Sequence, residues 1–268
     1  MQSRPNPLYR LVHKDYFEHF DAYCPNFADL HDLVSAQLGE RWEIHRSDLW
    51  FHCNLPQNIT PSQGWKIRIS ATLGNAKTIL QRVTEVLARC KDTNFKFAID
   101  LSTLSLLNSK QWSRGASGKF ITIYPPNSHR FLELIEEFHQ ATKGLRGPYI
   151  FSDYRYPNSE VVFYRYGGMQ LYKVLNVEGE RTPMLVGPDG SETPDHRLAY
   201  PVTPSWADPL LPVSDPNDGP SENCSIREGR YTILDAITFS NSGGVYQALD
   251  TQTGNKVIIK EEIGRAHV

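Results

Sequence analysis

The sequence has few cysteines, no long apolar run and no large excess of positive or negative charge. Each of these features excludes a class of protein. The chain has four cysteines, Cys24, Cys53, Cys90 and Cys224. They show neither the C-x-x-C spacing of a zinc site nor the density of a disulfide framework. We therefore expect no metal site and a reducing, cytoplasmic location. No apolar run approaches the ~18 residues of a membrane helix, and no apolar signal segment opens the chain, so neither membrane partners nor secretion are expected.

The charge balance excludes bulk attraction to polyanions. Lysine and arginine number 28 against 30 acidic residues, which predicts no nucleic-acid partner. The charge is uneven, however. Residues 66–119 contain ten basic residues (Lys66, Arg68, Lys77, Arg82, Arg89, Lys91, Lys96, Lys110, Arg114, Lys119) against three acidic ones (Glu85, Asp92, Asp100). This stretch produces a local positive field.

The pattern of apolar residues predicts an α+β fold with a mixed, largely antiparallel sheet and flanking helices. Helical spacing is found at 28–38, 74–90, 100–108 and from 127 onward, and strand patterns at 42–53, 64–70, 95–99, 119–124 and 161–168. The turns between them are short enough for antiparallel pairing. With 268 residues, of which 40% are hydrophobic, the chain can form one large or two modest domains.

Six prolines between 200 and 220 (Pro201, Pro204, Pro209, Pro212, Pro216, Pro220) predict a linker or a tract lying on a surface. We accordingly place a first domain at 1–199, a proline-rich linker at 200–224 and a second, short antiparallel unit at 225–268. Because the chain stops just past the last strand pattern of this unit, we expect it to be a fragment.

The second unit is similar to the start of a protein kinase. Gly243 and Gly244 occupy a nucleotide-covering loop, and Lys260 in V-I-I-K stands where the third-strand lysine reaches the phosphates. The alternative is an unrelated β-hairpin. The chain has no H-R-D or D-F-G segment, and Asp195-His196-Arg197 has the wrong order, so ATP and Mg²⁺ are expected only with a full kinase domain and phosphate transfer is not expected from this chain.

The strand pattern 64–70 predicts an anion site. Strand side chains alternate, so Lys66 and Arg68 share one face while Trp65, Ile67 and Ile69 share the other. Further cations lie in or beside strands and Gly/Ser loops: Lys96, Lys110, Arg114, Lys119, Arg155 and Arg165. A solvated run of charge is the plain alternative. Aromatic neighbours place several of these cations next to buried positions, and buried like charges are costly unless an anion joins them. Arginine suits phosphate, and a lysine among cations loses basicity and can act as a base.

The ordered motifs G-W-K-x-x-I-S, F-K-F, R-G-x-S-G-K-F-x-x-x-Y-P, S-D-x-R and Y-R-Y-G-G, before a proline-rich link and a kinase-like start, resemble the N-terminal part of class III/IV lanthipeptide synthetases. Their first domain is similar to the phosphothreonine lyases of bacterial pathogens. The resemblance covers about residues 1–200 and 225–268. It implies a cofactor-free lyase whose partner is a precursor peptide, leader plus core, phosphorylated on Ser or Thr. The products would be dehydroalanine or dehydrobutyrine.

The resemblance also implies roles for individual residues. Lys96 matches the base at Cα, and Lys66 the lysine that stabilises the enolate-like oxygen. Tyr124 matches an active-site tyrosine. The phosphate-holding positions are Arg114, Lys119, Arg155 and Arg165. All are predictions carried over by motif.

One position departs from the family pattern. The family has K-x-H, whose histidine protonates the leaving phosphate, whereas this chain has Lys66-Ile67-Arg68. Arginine holds phosphate but does not release a proton near neutral pH. Elimination is then slow or uses another acid, or the chain is a phosphopeptide- or leader-peptide-binding module with impaired catalysis. His45 and His52 lie near in sequence, but no pattern places either one in the site.

Overall fold

The structure is a computed structural model that describes residues 12, 18–58, 60–110, 112–170, 172–175, 179, 181–198, 200–212, 225–227, 229–240 and 243–260. Most of the aromatic N-terminal segment, Cys224, part of the proline-rich tract and residues 261–268 lie outside the described residues.

A seven-stranded sheet carries the first domain. Its spatial order is β1-β2-β4-β5-β3-β7-β6, and every pairing in it is antiparallel. The strands are β1 (Glu43–Ser47), β2 (Trp50–Asn54), β3 (Gln63–Ile69), β4 (Asn94–Ala98), β5 (Ile121–Tyr124), β6 (Tyr154–Arg155) and β7 (Val162–Gly168). The predicted α+β class with a largely antiparallel sheet is confirmed.

Within the described residues, four α-helices accompany this sheet: α1 (Phe27–Leu38), α2 (Ala76–Arg89), α3 (Leu101–Leu107) and α4 (Ser128–Ala141). Side-chain caps fix two of their starts, because Asp100 accepts from the backbone N–H of Thr103 at 2.7 Å and Asn127 from that of Arg130 at 2.9 Å. Helix α4 packs against β3, where the rings of Phe131 and Trp65 lie 5.9 Å apart.

The apolar core lies on one face of the sheet. Residues of β3, β4 and β5 with the same alternation are buried there, namely Trp65, Ile67, Ile69, Phe95, Phe97, Ile121 and Ile123. They join the stripes of α2 and α4 in one cluster. Because neighbouring side chains of a strand point to opposite faces, the residues between them share the other face. That second face holds the predicted cations of β3 and β4, Lys66, Arg68 and Lys96, whereas Lys110 follows helix α3 and is exposed.

Two smaller sheets follow in the chain. The first has the order β10-β9-β8, with β8 at Lys173–Leu175, β9 at Arg181–Val186 and β10 at Glu192–Pro194. The second, in the predicted kinase-like unit, has the order β11-β12-β13-β14, with β11 at Ser225–Ile226, β12 at Tyr231–Ser240, β13 at Gly243–Asp250 and β14 at Lys256–Lys260. All their pairings are antiparallel.

The structure corrects one local expectation and shows where part of the proline-rich tract lies. The single strand predicted at 42–53 is the hairpin β1–β2, because Asp48 takes a positive φ of 51° and turns the chain back. Part of the proline-rich tract packs on the first domain: Trp206 stacks edge-on against Tyr166 at 5.3 Å, and Leu210 lies against the core. This part of the tract therefore lies on a surface, the second of the two alternatives for the tract.

Candidate functional site

Cross-strand register brings the predicted cations onto one face. His52 on β2 is opposite Lys96 on β4, Lys96 is opposite Thr122 on β5, and Thr122 is opposite Arg68 on β3. Directly opposed residues of antiparallel strands point to the same side. The four side chains therefore form one row, in which Thr122 separates the predicted base from Arg68.

Lys66 begins a second row on the same face, because it is opposite Arg165 on β7. Its side chain is only 3% exposed, and its Nζ donates to the carbonyl oxygen of Gly168 at 2.7 Å. A Cβ at Gly167 would come within 2.9 Å of that Nζ, so glycine at this position makes room for the ammonium group. Burial, followed by the charge of Arg68, holds the pKa of Lys66 well below its usual value.

Arg165 is the buried arginine of this row. Its Nη2 donates to Asp195 Oδ1 and to the carbonyl oxygen of His196, the latter at 3.2 Å, and its Nε donates to the carbonyl oxygen of Tyr166 at 3.1 Å. Its Nη1 is buried without a hydrogen-bond partner among the described residues. A buried, unpartnered guanidinium nitrogen is costly, and an anion would satisfy it.

Arg68 is paired with a buried carboxylate. Its Nε lies 2.9 Å from Asp153 Oδ2, although the two atoms are not aligned as a hydrogen bond. Burial alone would raise the pKa of Asp153, but the charges of Arg68 and Lys119 hold it below its usual range. Arg68 is thus anchored as a cation in the row. The neighbouring hydroxyl of Thr122 is buried and has no hydrogen-bond partner among the described residues.

Lys96 differs from the other lysines in its exposure and ionisation. It is half-buried, and its Nζ lies 4.7 Å from the centroid of the Trp50 ring. Burial, then the charges of Arg68 and Arg197, lower its pKa to about 7. A substantial fraction is therefore neutral near pH 7, which suits a general base. Its neighbour His52 stacks on His45 at 5.2 Å, and burial followed by the charge of Lys96 lowers its pKa to about 4.

Lys119 and Tyr124 complete the buried part of the site. The Nζ of Lys119 donates to the carbonyl oxygen of Gly115 at 2.7 Å, and burial together with Arg68 keeps its pKa well below the usual value. Burial raises the pKa of Tyr124 to about 12, so its hydroxyl is neutral at physiological pH.

The structure places the other two predicted phosphate ligands in different surroundings. The guanidinium of Arg114 lies 4.3 Å from the centroid of the Phe151 ring, in a short 3₁₀ turn, Arg114–Ala116, before Lys119. Arg155 is exposed on the edge strand β6, opposite Phe163 and 5.8 Å from the Tyr149 ring. Their roles in holding phosphate stay predictions.

Sequence reasoning missed a segment that reaches the site from outside the sheet. Residues 194–198, the Asp195 segment, lie over Gly115, where a Cβ would collide with the carbonyl oxygen of Arg197. Asp195 accepts from the backbone N–H of Gly168 at 3.2 Å as well as from Arg165. The exposed Arg197 lowers the pKa of Lys66, Lys96 and Lys119 by its charge. No strand periodicity connects this segment to the sheet, so its position was not predictable from local patterns.

Thr122 and Asp153 could have been identified from the sequence. Thr122 stands two residues before Tyr124 on a predicted strand, and period two places both on one face. Asp153 lies inside the S-D-x-R motif, of which only the arginine was singled out. His52 is also brought to the site, because β2 belongs to a hairpin that pairs with β4.

The kinase-like residues lie together in the four-stranded sheet. Gly243 and Gly244 open β13, and Lys260 ends β14 opposite Val245, the residue after the glycines. The glycines predicted in a loop are thus the first residues of a strand. Their role toward a nucleotide stays a prediction.

A separate groove of about 420 Å³ contains none of the predicted cations. It is lined by Trp65, Tyr166 and Trp206 and by the prolines Pro61, Pro125 and Pro188, among others. Within the described part of the chain, no three His, Cys, Asp or Glu side chains lie close enough to hold a metal ion. Nor is any described helix long and apolar enough to cross a membrane.

Fold and site together define an α+β domain whose antiparallel sheet presents a cationic face built around two lysines and two buried arginines. Residues 30–218 match the family model described as RamC, N-terminal domain. The chain belongs to this family, which confirms the resemblance drawn from the motifs.

Relatives and solved structures extend the comparison. The chain is 38% identical over 230 residues to a probable SapB synthase of Streptomyces coelicolor, across 85% of this chain and 24% of that protein. It thus spans about a quarter of the length of this curated relative. It is also similar to the phosphothreonine lyase effector VirA of Chromobacterium violaceum (21% identity, 47% of this chain and 65% of that one, TM-score 0.38). The phosphothreonine lyase OspF of Shigella flexneri is similar as well, with 18% identity over 59% of this chain and 84% of that one and a TM-score of 0.39.

Proposed function

We propose that the first domain is a phosphoserine/phosphothreonine lyase of a lanthipeptide synthetase. It eliminates phosphate from phosphorylated Ser or Thr of a precursor peptide and leaves dehydroalanine or dehydrobutyrine. The observation that carries the proposal is the row Lys96, Thr122, Arg68: a lysine that is partly neutral near pH 7 shares a sheet face with two buried arginines. Membership of the RamC N-terminal domain family supports it.

Proton abstraction is the first step. The neutral amine of Lys96 takes the proton from Cα of the phosphorylated residue, and the electrons of the C–H bond move into the bond between Cα and the carbonyl carbon. Negative charge then develops on the carbonyl oxygen of the same residue. Lys66 lies on the same face and, in its protonated form, donates to that oxygen. This hydrogen bond stabilises the transition state more than the ground state.

Departure of phosphate is the second step. The Cβ–O bond breaks as the Cα=Cβ bond forms, and the bond electrons leave with the phosphate oxygen. Arg68 and the unpartnered Nη1 of Arg165 offer charge-assisted hydrogen bonds to that group. A phosphate monoester with a second pKa near 6 is mainly a dianion at pH 7, so the group leaves with one further negative charge, which the cations stabilise until the phosphate takes a proton from water. In this scheme Arg68 supplies charge, and the proton comes from the solvent.

The proposed chemistry uses side chains alone. Proton transfer needs only an amine, and charge on the oxygen and the phosphate needs only fixed cations, so neither a metal nor an organic cofactor has a step to perform. ATP and Mg²⁺ enter only through a complete kinase domain that prepares the phosphopeptide substrate.

The test is direct. The chain is incubated with a Ser/Thr-phosphorylated peptide, and mass spectrometry follows loss of one phosphoric acid, which differs from hydrolysis by one water. Elimination by the wild type and none by Lys96→Ala is expected. A wild type that binds the peptide and leaves it unchanged would establish the binding-module alternative. Release of phosphate with restoration of Ser or Thr would replace elimination by hydrolysis.

A further inference from the structure

The two lysines of the proposed lyase site need opposite charge states. The base Lys96 has to be neutral, whereas Lys66 has to be a cation. Arg68 and Arg197 act on both lysines, and Arg165 acts on Lys66 as well. Lys66 is also the more deeply buried of the two, which by itself favours its neutral form. A nearby negative group therefore has to favour the protonated form of Lys66 without having the same effect on Lys96.

Asp195 occupies the position where such a group is needed. Its carboxylate accepts from Nη2 of Arg165 and from the N–H of Gly168, while Lys66 donates to the carbonyl oxygen of the same Gly168. A Cβ built on Gly167 would lie 2.9 Å from Lys66 Nζ and 3.2 Å from each carboxylate oxygen of Asp195, so the two charged groups flank one small gap. The carboxylate is only 8% exposed.

We propose that Asp195 is a positioning residue that holds Arg165 in the anion site and favours the protonated form of Lys66 over its neutral form. This inference deepens the proposed lyase function and rests on it for the roles of the two lysines. The electrostatic part concerns the protein alone.

The charged groups facing Lys66 come from every neighbouring element. Its own strand contributes Arg68, β7 contributes Arg165, and the Asp195 segment contributes Asp195 and Arg197. Asp195 is the group that raises the pKa of Lys66 against the three arginines. On β5, Tyr124 is uncharged because its pKa is raised to about 12. At Lys96 the opposing carboxylate is Asp48, whose effect is smaller than those of burial, Arg68 and Arg197.

The chain contains a matched control. Asp153 is a second buried carboxylate paired with an arginine of the same face, and it raises the pKa of Lys119 as Asp195 raises that of Lys66. The variants Asp195→Asn and Asp153→Asn each remove one charge and keep the side-chain shape. If each carboxylate acts on its own lysine, each variant lowers the pKa of one lysine and leaves that of the other nearly unchanged. If the variants only destabilise the fold, both lysines change alike.

The experiment measures lysine ionisation without any substrate. The full chain is labelled with ¹³C and ¹⁵N lysine, the signals of Lys66, Lys96 and Lys119 are assigned with Lys→Arg variants, and their midpoints are followed against pH. In Asp195→Asn we expect the midpoint of Lys66 to fall by on the order of one pH unit or more, with that of Lys119 changed much less. Asp153→Asn is expected to show the reverse. An unmoved Lys66, or equal shifts of both lysines in both variants, would overturn the proposal.

Asp195→Glu keeps the charge and moves it by one methylene. We expect it to retain the Lys66 midpoint within about half a pH unit, and a fall of about one pH unit or more would overturn the role of the charge. This measurement remains available if the asparagine variant does not fold. With a phosphopeptide, Asp195→Asn should lower kcat more than it raises KM and bring the alkaline limb of the rate profile to lower pH. If no elimination occurs in the wild type, the lyase function fails while the lysine titration still decides the role of Asp195.

Discussion

Lys96 lies directly opposite His52, and both side chains have pKa values below their usual ranges, about 7 and about 4. The pair is therefore largely uncharged above pH 7, and only Lys96 gains a proton as the pH falls from 8 to 6. This difference gives the pair a single titration in the physiological range.

The rate of elimination should follow that titration. The neutral form of Lys96 is the active base, so kcat/KM should be high above pH 7 and fall about tenfold per unit well below it. His52→Gln should leave the midpoint of this limb within about half a unit, because His52 is neutral throughout the range. A profile that is flat between pH 6 and 8 would remove Lys96 from the role of base.

Arg68→His tests the meaning of the departure from the family motif. A histidine there can donate a proton to the leaving phosphate, and general acid catalysis is typically worth 10²- to 10⁴-fold, so we expect kcat to rise by about tenfold or more. Arg68→Gln supplies neither charge nor proton and should lose activity. If the histidine variant is no faster, loss of phosphate does not limit the rate. Single-turnover kinetics with a phosphopeptide measures both variants.

Arg165 and Arg155 form a matched pair for phosphate binding, since one is buried with an unpartnered nitrogen and the other is exposed at the sheet edge. A lost hydrogen bond to a charged group costs about 1.5–3 kcal/mol, so Arg165→Gln should weaken phosphopeptide binding by roughly 10- to 150-fold. Arg155→Gln should change it by less than about threefold. Calorimetry with Lys96→Ala as the background measures binding without turnover, and equal losses in the two variants would place Arg155 among the phosphate ligands.

The Arg68–Asp153 pair should matter for stability as well as for the site. Its side chains are 7% and 0% exposed, and removing one partner leaves an uncompensated buried charge, which costs about 3–5 kcal/mol. Asp153→Asn should lower the free energy of unfolding in urea by an amount of this order. The exposed pair Arg146–Glu160 is the control, because Glu160→Gln should change the free energy of unfolding by less than about 1 kcal/mol. A small effect at Asp153 would mean that water or repacking compensates Arg68.

The sheet and half of the site were predictable because local patterns determine them. Alternation along β3 placed Lys66 and Arg68 on one face, and helical spacing identified α2 and α4 within a few residues. The cations of β3, β4 and β7 followed from motifs on those strands. Cross-strand register, which places Thr122 between Lys96 and Arg68, depends on how distant segments pair, and one sequence does not contain it.

The rest of the site depends on contacts over long separations. Asp195 reaches Arg165 across 30 residues through one hydrogen-bonded carboxylate, and no periodicity announces such a contact. The turn at Asp48 was missed because a residue with positive φ can be aspartate as well as glycine, so the hairpin read as one strand.

The Asp195 segment is held by Arg165 and Gly168 at Asp195 and lies against Gly115 under Arg197. The stretch between Gly168 and Asp195, which contains the sheet β8–β10, therefore leaves the site and returns to it at fixed positions. Within that stretch Gln63 of β3 bonds the backbone N–H and carbonyl oxygen of Val186 at 2.9 and 2.7 Å. A change in its length has to preserve these attachments to keep the Asp195 carboxylate beside Arg165.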